Sequence, residues 1–141
     1  MSRVLAIDVG QKRLGLALSD PTRTFGSPHS VINHVSLPVD TEQIAQICSD
    51  NQVSLIVVGV PGGDNGEGSP MQRHIAKFIA GLKEQTSIPV LTWDESFSTN
   101  QAQQARREMR VPLKKRQGHL DDLAAAIILQ SYLDSIGSEK E

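Results

Sequence analysis

Acidic residues begin or end apolar runs at three widely separated places in the 141-residue sequence. Asp8 ends the run that starts at Val4, and Glu95 stands just after the run IPVLTW. Asp121 and Asp122 stand directly before a third run, LAAAIIL. Each position alone has an ordinary explanation, because a strand-end aspartate often caps a turn and an acid favours the positive end of a helix dipole.

Taken together, these acids could form one site. If the strands that end in Asp8 and Glu95 are adjacent in the centre of a sheet, both carboxylates reach the same edge. Small alanines in the final run would let a helix approach the sheet closely and bring a third carboxylate to the pair. Carboxylates so close together repel one another unless a cation neutralises them. Hard oxygen ligands favour Mg²⁺ or Mn²⁺, and two such ions about 4 Å apart could activate a water for phosphodiester hydrolysis.

Positive charge is concentrated in one segment, RREMRVPLKKR, although the net charge of the chain is −2. The segment holds six of the 14 basic residues, namely Arg106, Arg107, Arg110, Lys114, Lys115 and Arg116. Such a run is often only a solvated surface, but its density favours contact with phosphates, which supply the sequence-independent affinity for nucleic acid. Lys12 and Arg13, which follow Asp8, are equally consistent with a solvated hairpin tip.

Composition narrows the class of protein. With 38% hydrophobic and 21% charged residues, the chain is typical of a globular domain that can bury its own core. The longest apolar stretch, residues 123–129, is too short to span a membrane, and the N-terminus lacks a signal-peptide pattern. We therefore expect a cytoplasmic protein with no membrane partner. Cys48 is the only cysteine, and its place on an apolar helical stripe with Ile44 and Ile47 predicts core packing, not nucleophilic chemistry.

The periodicity of apolar residues predicts strands and helices that alternate after an initial hairpin. Strands are predicted over residues 4–9, 14–18, 30–33, 54–60 and 88–93. Helices are predicted from an N-cap at Thr41 to about residue 51, over 71–82, from Ser98 or Thr99 to about 109, and over 120–136. This order predicts a three-layer α/β domain, a mixed central sheet with helices on both faces, spanning residues 1–141 with a frayed tail at about 137–141.

Four motifs, in one order and at fixed spacings, resemble those of a known protein family. The motifs are DVGQKRLGLALSD, IVVGVPGGDNGEG, WDESFST and HLDDLAAAIILQSYL, and they span residues 4–133. They resemble the YqgF/RuvX family of Holliday junction resolvases, also described as pre-ribosomal-RNA nucleases. The resemblance implies a ribonuclease H-like fold and a metal-dependent endonuclease that acts on Holliday junction DNA or on the 5′ end of a ribosomal RNA precursor.

The resemblance also implies roles for the acids. It makes Asp8, Glu95 and one aspartate of the final helix the catalytic ligands of Mg²⁺ or Mn²⁺. The position of the alanine-rich run selects Asp121 over Asp122 as the third ligand.

For the basic residues, the resemblance implies that Lys12, Arg13 and the segment 106–116 bind nucleic acid. One position departs from the family pattern, since Ser96 stands where an arginine usually follows the glutamate. If that arginine contacts phosphate or pairs with an acid, another basic residue must supply its charge here.

Two other functions are consistent with parts of the sequence. The departure at Ser96 suits a nucleic-acid-binding protein of the same fold without catalysis. The Asp-x-Gly hairpin also opens actin-like ATPases and sugar kinases, but those folds contain the unit twice and this chain has one copy. The sequence leaves open whether DNA or RNA is the substrate, and whether the chain forms a homodimer, which symmetrical cutting of a four-way junction would require.

Overall fold

Five strands and three helices make up the part of the chain that the computed structural model describes, residues 2–61, 69–95 and 120–140. In chain order they are β1 (Arg3–Val9), β2 (Arg13–Ser19), β3 (Gly26–Asn33), α1 (Leu37–Asp50), β4 (Val53–Val60), α2 (Pro70–Gln85), β5 (Val90–Asp94) and α3 (Leu120–Lys140). The predicted strands over 4–9, 14–18 and 54–60 are confirmed to within one residue at each end. The predicted helix that begins at Ser98 or Thr99 lies outside the described residues.

The strands form one mixed sheet in the order β3-β2-β1-β4-β5. β2 is antiparallel to both β1 and β3, whereas β4 is parallel to both β1 and β5. The carboxyl ends of β1, β4 and β5 therefore lie at one edge of the sheet. This arrangement, with helices on both faces, confirms the predicted three-layer α/β architecture.

Side chains alternate between two apolar cores on the two faces of the sheet. Leu5 and Ile7 of β1 pack in the core under α1 and α2, while Val4 and Ala6 pack in the core under α3. Alanines on both the sheet and the helix, among them Ala6 and Ala17, let α3 lie close to the sheet. The contributions of α3 to that core are Ala125, Ala126, Ile128, Leu129 and Leu133.

The start of α1 differs from the prediction. Ser36 is the N-cap, and its side chain accepts a hydrogen bond from the backbone N–H of Val39. The predicted N-cap, Thr41, is wrong: it is buried one turn inside the helix, where its hydroxyl donates to the carbonyl of Leu37. Pro38 occupies the first turn of α1, where its missing N–H costs no intrahelical bond.

β3 begins earlier than predicted, at Gly26, and includes Pro28. The proline pairs with Ala17 in a strand at the rim of the sheet, next to a shift in register between Leu16 and Ala17. Proline is tolerated in a strand at the rim of a sheet because only one side of that strand's backbone forms hydrogen bonds with a neighbouring strand.

Cys48 is confirmed as a core residue. It is buried with Ile44 under the α1 and α2 face of the sheet. Burial raises the pKa of its thiol to about 11, so little thiolate exists near neutral pH. Among the described residues, the structure contains no helix long and apolar enough to cross a membrane.

Candidate active site

Asp8 lies on the α3 side of the sheet, one residue before the end of β1. Its neighbour Ile7 packs in the opposite core, and successive side chains of a strand point to opposite faces. On β2, the residue paired with Asp8 is Gly15. Gly15 is buried and has no side chain to stand beside the carboxylate.

A second glycine lies on the other side of Asp8. β1 and β4 pair in register from Leu5 with Ile56 to Ile7 with Val58, so the next residue along β4, Gly59, lies beside Asp8. Strands in a sheet are about 4.8 Å apart. Asp8 therefore lies between two positions without side chains, and both are on the face that α3 covers.

Glu95 reaches this place from the end of β5. Trp93 of β5 pairs with Gly59, and Glu95 follows two residues later, just beyond the last residue of the strand. A Cβ atom on Gly59 would lie 3.1 Å from Oε1 and 3.3 Å from Cγ of Glu95. The Glu95 side chain thus lies over Gly59, and Asp8 is the next residue across the sheet.

The expectation that the strands of Asp8 and Glu95 are adjacent is wrong. β4 lies between β1 and β5, so the two backbones are two strand spacings apart. The longer Glu95 side chain extends towards Asp8 over Gly59, where a larger residue would crowd it. This role of Gly59 was not predicted from the sequence, although a glycine that interrupts a β-branched run such as SLIVVGV often marks a close approach.

Contacts between β5 and α3 fix the strand that precedes Glu95. The indole Nε1 of Trp93 donates a hydrogen bond to the hydroxyl of Ser131 at 3.1 Å. The Trp93 ring also meets Tyr132 edge to face, with 5.5 Å between the ring centroids. These contacts join β5 to the helix that carries the third predicted acid.

The third predicted acid lies on α3. Asp121 and Asp122 are in the first turn of this helix, and their side chains lie outside what the structure describes. Within the described side chains, no group of three or more His, Cys, Asp or Glu residues is placed to hold a metal ion. The structure therefore places Glu95 over Gly59, the residue of β4 beside Asp8, and the three-acid site remains a prediction.

Lys12 and Arg13 are exposed in the hairpin between β1 and β2, at the same edge of the sheet as Asp8. The hairpin backbone is held by two hydrogen bonds of 2.9 Å, from Gly10 N–H to the Arg13 carbonyl and from His34 N–H to the Lys12 carbonyl. The six basic residues predicted to bind nucleic acid between Arg106 and Arg116, and the departure from the family pattern at Ser96, lie outside the described residues.

The fold is that of the ribonuclease H-like Holliday junction resolvases. The solved structure of T. thermophilus RuvC in complex with a Holliday junction substrate matches with a TM-score of 0.60 over 98% of both chains, at 12% sequence identity. The family model described as RuvX, Holliday junction resolvase, matches residues 2–135. The chain belongs to this family, which confirms the resemblance in the motifs and places the chain among the nucleases.

Relatives agree with this assignment over nearly their whole length. A protein of Thermoanaerobacter pseudethanolicus is 39% identical over 134 residues, which cover 94% of this chain and 96% of that protein. A protein of Roseiflexus sp. is 37% identical over 133 residues, 94% of each chain. Both carry the name "Putative pre-16S rRNA nuclease".

Proposed function

We propose that this nuclease is a divalent-metal-dependent endonuclease that cuts phosphodiester bonds in structured nucleic acid within one nuclease domain. The observation that carries the proposal is the position of the Glu95 carboxylate over Gly59, directly beside Asp8. Carboxylates gathered at one edge of a sheet repel one another, and a cation between them removes that cost. Oxygen donors of this kind fit Mg²⁺ or Mn²⁺.

The helical register of α3 supports Asp121 as the third ligand. Ile128, whose Cδ1 would lie 2.5 Å from a Cβ on Gly59, stands seven residues after Asp121. Residues seven apart lie two turns apart on the same side of a helix. Asp121 therefore belongs to the row of α3 that runs over β4. Asp122 belongs instead to the row of Leu129, which packs on β3.

In the mechanism that we propose, Asp8, Glu95 and Asp121 hold the metal at the edge of the sheet. When bound, Mg²⁺ or Mn²⁺ supplies Lewis-acid polarisation of the phosphate and a more acidic water. The ladder of β1 fixes the backbone of Asp8, and the Glu95 side chain lies over Gly59, so both acids are positioned by the sheet. Lys12 and Arg13 bind phosphates beside the bond that is cut, and the basic segment 106–116 adds further contacts to phosphates.

For the substrate, we propose a precursor of 16S ribosomal RNA, in the cytoplasm. Relatives that carry this substrate in their names align with at least 94% of this chain, whereas the RuvC structure with bound junction shares 12% identity and indicates only the fold. Trimming one RNA strand requires one active site, so this substrate does not need a homodimer. A four-way junction is the competing substrate.

The proposal is tested by cleavage of two labelled substrates, a pre-16S rRNA fragment and a four-way DNA junction, with Mg²⁺, with Mn²⁺ or with chelator. We expect metal-dependent cleavage of the RNA and a loss of at least about 1,000-fold in Asp8→Asn with binding retained, because the amide keeps the shape and removes the charge. Asp50→Asn, an exposed acid at the end of α1, is the matched control.

Each other outcome has a defined meaning. Preferred cleavage of the junction would contradict the proposed substrate but not the nuclease. Binding of RNA without cleavage under any metal condition would favour a non-catalytic nucleic-acid-binding protein. Cleavage by Asp8→Asn at the rate of the unchanged protein would overturn the proposed site.

A further inference from the structure

A pocket of about 170 Å³ opens between the β1–β2 hairpin, α1 and α2, on the face of the sheet opposite to α3. Its walls are mainly apolar and include Leu14, Leu37 and Phe78, with Gly10 at one side. Gly10 follows Asp8 by two residues, a span of about 7 Å in extended chain. The pocket thus lies at the same edge of the sheet as the proposed catalytic carboxylates but on the opposite face, next to the hairpin that carries Lys12.

The size and lining of the pocket limit what can bind there. An apolar cavity of roughly 150 Å³ accepts one benzene ring, whereas sites for drug-sized ligands start at roughly 300 Å³. A pocket of about 170 Å³ therefore holds one ring and not a whole nucleotide cofactor. The aliphatic side chains of Leu14 and Leu37 and the ring of Phe78 suit a flat, largely apolar ring.

Polar groups in the wall of the pocket suit a ligand in which a ring with hydrogen-bonding groups is joined to a phosphate. Nδ1 of His34 lies 2.5 Å from Oδ2 of Asp40, and the other oxygen of this buried carboxylate accepts from Val35 N–H at 3.0 Å. Because a carboxylate only accepts, the hydrogen is on Nδ1, and Nε2 is the nitrogen that His34 offers to a ligand. Lys77 adds a positive charge, and His74 a second imidazole.

We propose that this pocket binds one unpaired nucleobase of the substrate, with the adjacent phosphate near Lys77. The inference rests on the proposed nuclease function and deepens it, since it makes the substrate a strand with at least one unpaired nucleotide close to the bond that is cut. Unpaired bases are the usual targets of RNA recognition, because they can be placed in apolar sites and bonded along their edges.

A first experiment distinguishes binding of the base from binding of the phosphate, and it requires no cleavage. The protein is titrated with uridine 5′-monophosphate in the absence of divalent metal, and the ring C–H signals of His34 and His74 are followed by NMR. Ribose 5-phosphate is the control, since it lacks the base. We expect the nucleotide to shift the ring signals of both histidines and the sugar phosphate to leave these signals unchanged. Equal shifts from both compounds, or none from the nucleotide, would overturn the proposal.

A second experiment fills the pocket. Leu37→Trp places a ring in the pocket, while Val39→Trp on the same helix is the matched control, because both residues are partly exposed and only Leu37 lines the pocket. With chelator present, we expect Leu37→Trp to bind the RNA fragment about tenfold more weakly and Val39→Trp within about twofold of the unchanged protein. Equal affinities of all three proteins would contradict the pocket's role.

Abasic nucleotides test the same point in the unchanged protein, whether or not the tryptophan variant folds. Replacing the nucleotides near the cleavage site one at a time with abasic nucleotides should weaken binding about tenfold at one position. Metal-dependent cleavage that tolerates every abasic position would overturn this inference and leave the nuclease intact. If cleavage itself is absent, the nuclease proposal fails, and the nucleotide titration still decides whether the pocket binds a base.

Discussion

The side chain of Glu95 lies over the backbone of Gly59, so that a Cβ on this glycine would be 3.1 Å from the Glu95 carboxylate oxygen Oε1. This relationship allows an acid from the end of β5 to reach an acid in β1 across the strand between them. The same glycine also receives the side chain of Ile128 from α3. One residue without a side chain thus sets the distance between the sheet, the helix and the proposed metal ligands.

We expect Gly59→Ala to impair both activity and stability. The new methyl group would lie 2.5 Å from Cδ1 of Ile128 and 3.1 Å from Oε1 of Glu95, so the side chains of Ile128 and Glu95 must shift to make room. Overpacking of this kind costs about 1–3 kcal/mol, and displacement of Glu95 should lower the cleavage rate at least about tenfold. Urea unfolding and single-turnover cleavage measure the two effects.

The control for this substitution is Gly137→Ala in α3, where a Cβ would have no atom within 4 Å. Alanine there should leave cleavage unchanged and raise the stability by about 0.5–1 kcal/mol through helix propensity. If Gly59→Ala unfolds and cleaves like the unchanged protein, Gly59 does not have the role described.

Substitution of each aspartate at the start of α3 distinguishes the third ligand. Asp121→Asn should lose cleavage as completely as Asp8→Asn, because Asp121 shares a helix row with Ile128 over β4. Asp122→Asn should stay within about tenfold of the unchanged rate. Single-turnover cleavage at several Mn²⁺ concentrations checks both, and the reverse order of the two effects would assign the ligand to Asp122.

Removing the charges of the β1–β2 hairpin should weaken substrate binding, because these side chains would no longer neutralise phosphates. For Lys12→Ala combined with Arg13→Ala, we expect a weaker salt dependence of binding to the pre-16S rRNA fragment. The plot of log K against log salt should become shallower by about one unit for each phosphate that is no longer neutralised. Lys83→Ala, an exposed lysine in the last turn of α2, is the control. An unchanged slope in the double variant would place the bound phosphates elsewhere.

The stability of the protein should depend on pH through Asp20. Its oxygens accept from the backbone N–H groups of Thr22, Thr24 and Phe25 and from the Thr22 hydroxyl. These bonds, chiefly those from Phe25 and the Thr22 hydroxyl, hold the pKa of the carboxyl well below its usual range. Since the folded pKa is lowered, the stabilisation is complete above the unfolded pKa and is lost as pH falls through the folded value.

Asp20→Asn should therefore lower the Tm at pH 7, and the difference from the unchanged protein should shrink as the pH falls below about 4. Thermal unfolding between pH 7 and pH 2 measures this difference. The exposed acid Glu42, changed to Gln, serves as the control. A difference that stays constant down to pH 2 would mean that the ionised form of Asp20 does not contribute.

Local patterns in the sequence determined the elements and the types of residue that the site contains. The apolar run before Asp8 and the helical spacing from Met71 to Leu82 depend on neighbours in the chain, so β1 and α2 could be predicted from them. The start of α1 could not, because Ser36 and Thr41 are both good N-caps and packing buries Thr41 inside the helix.

Only the tertiary structure decided how distant residues meet. The order of the strands places β4 between the two acids, and this order depends on the packing of residues far apart in sequence. For the same reason, the sequence could not show that Gly59 lies under Glu95, or that His34 and Lys77 line one pocket. Periodicity reports the face of an element to which a residue belongs, whereas the partner on that face is fixed by the fold of the whole chain.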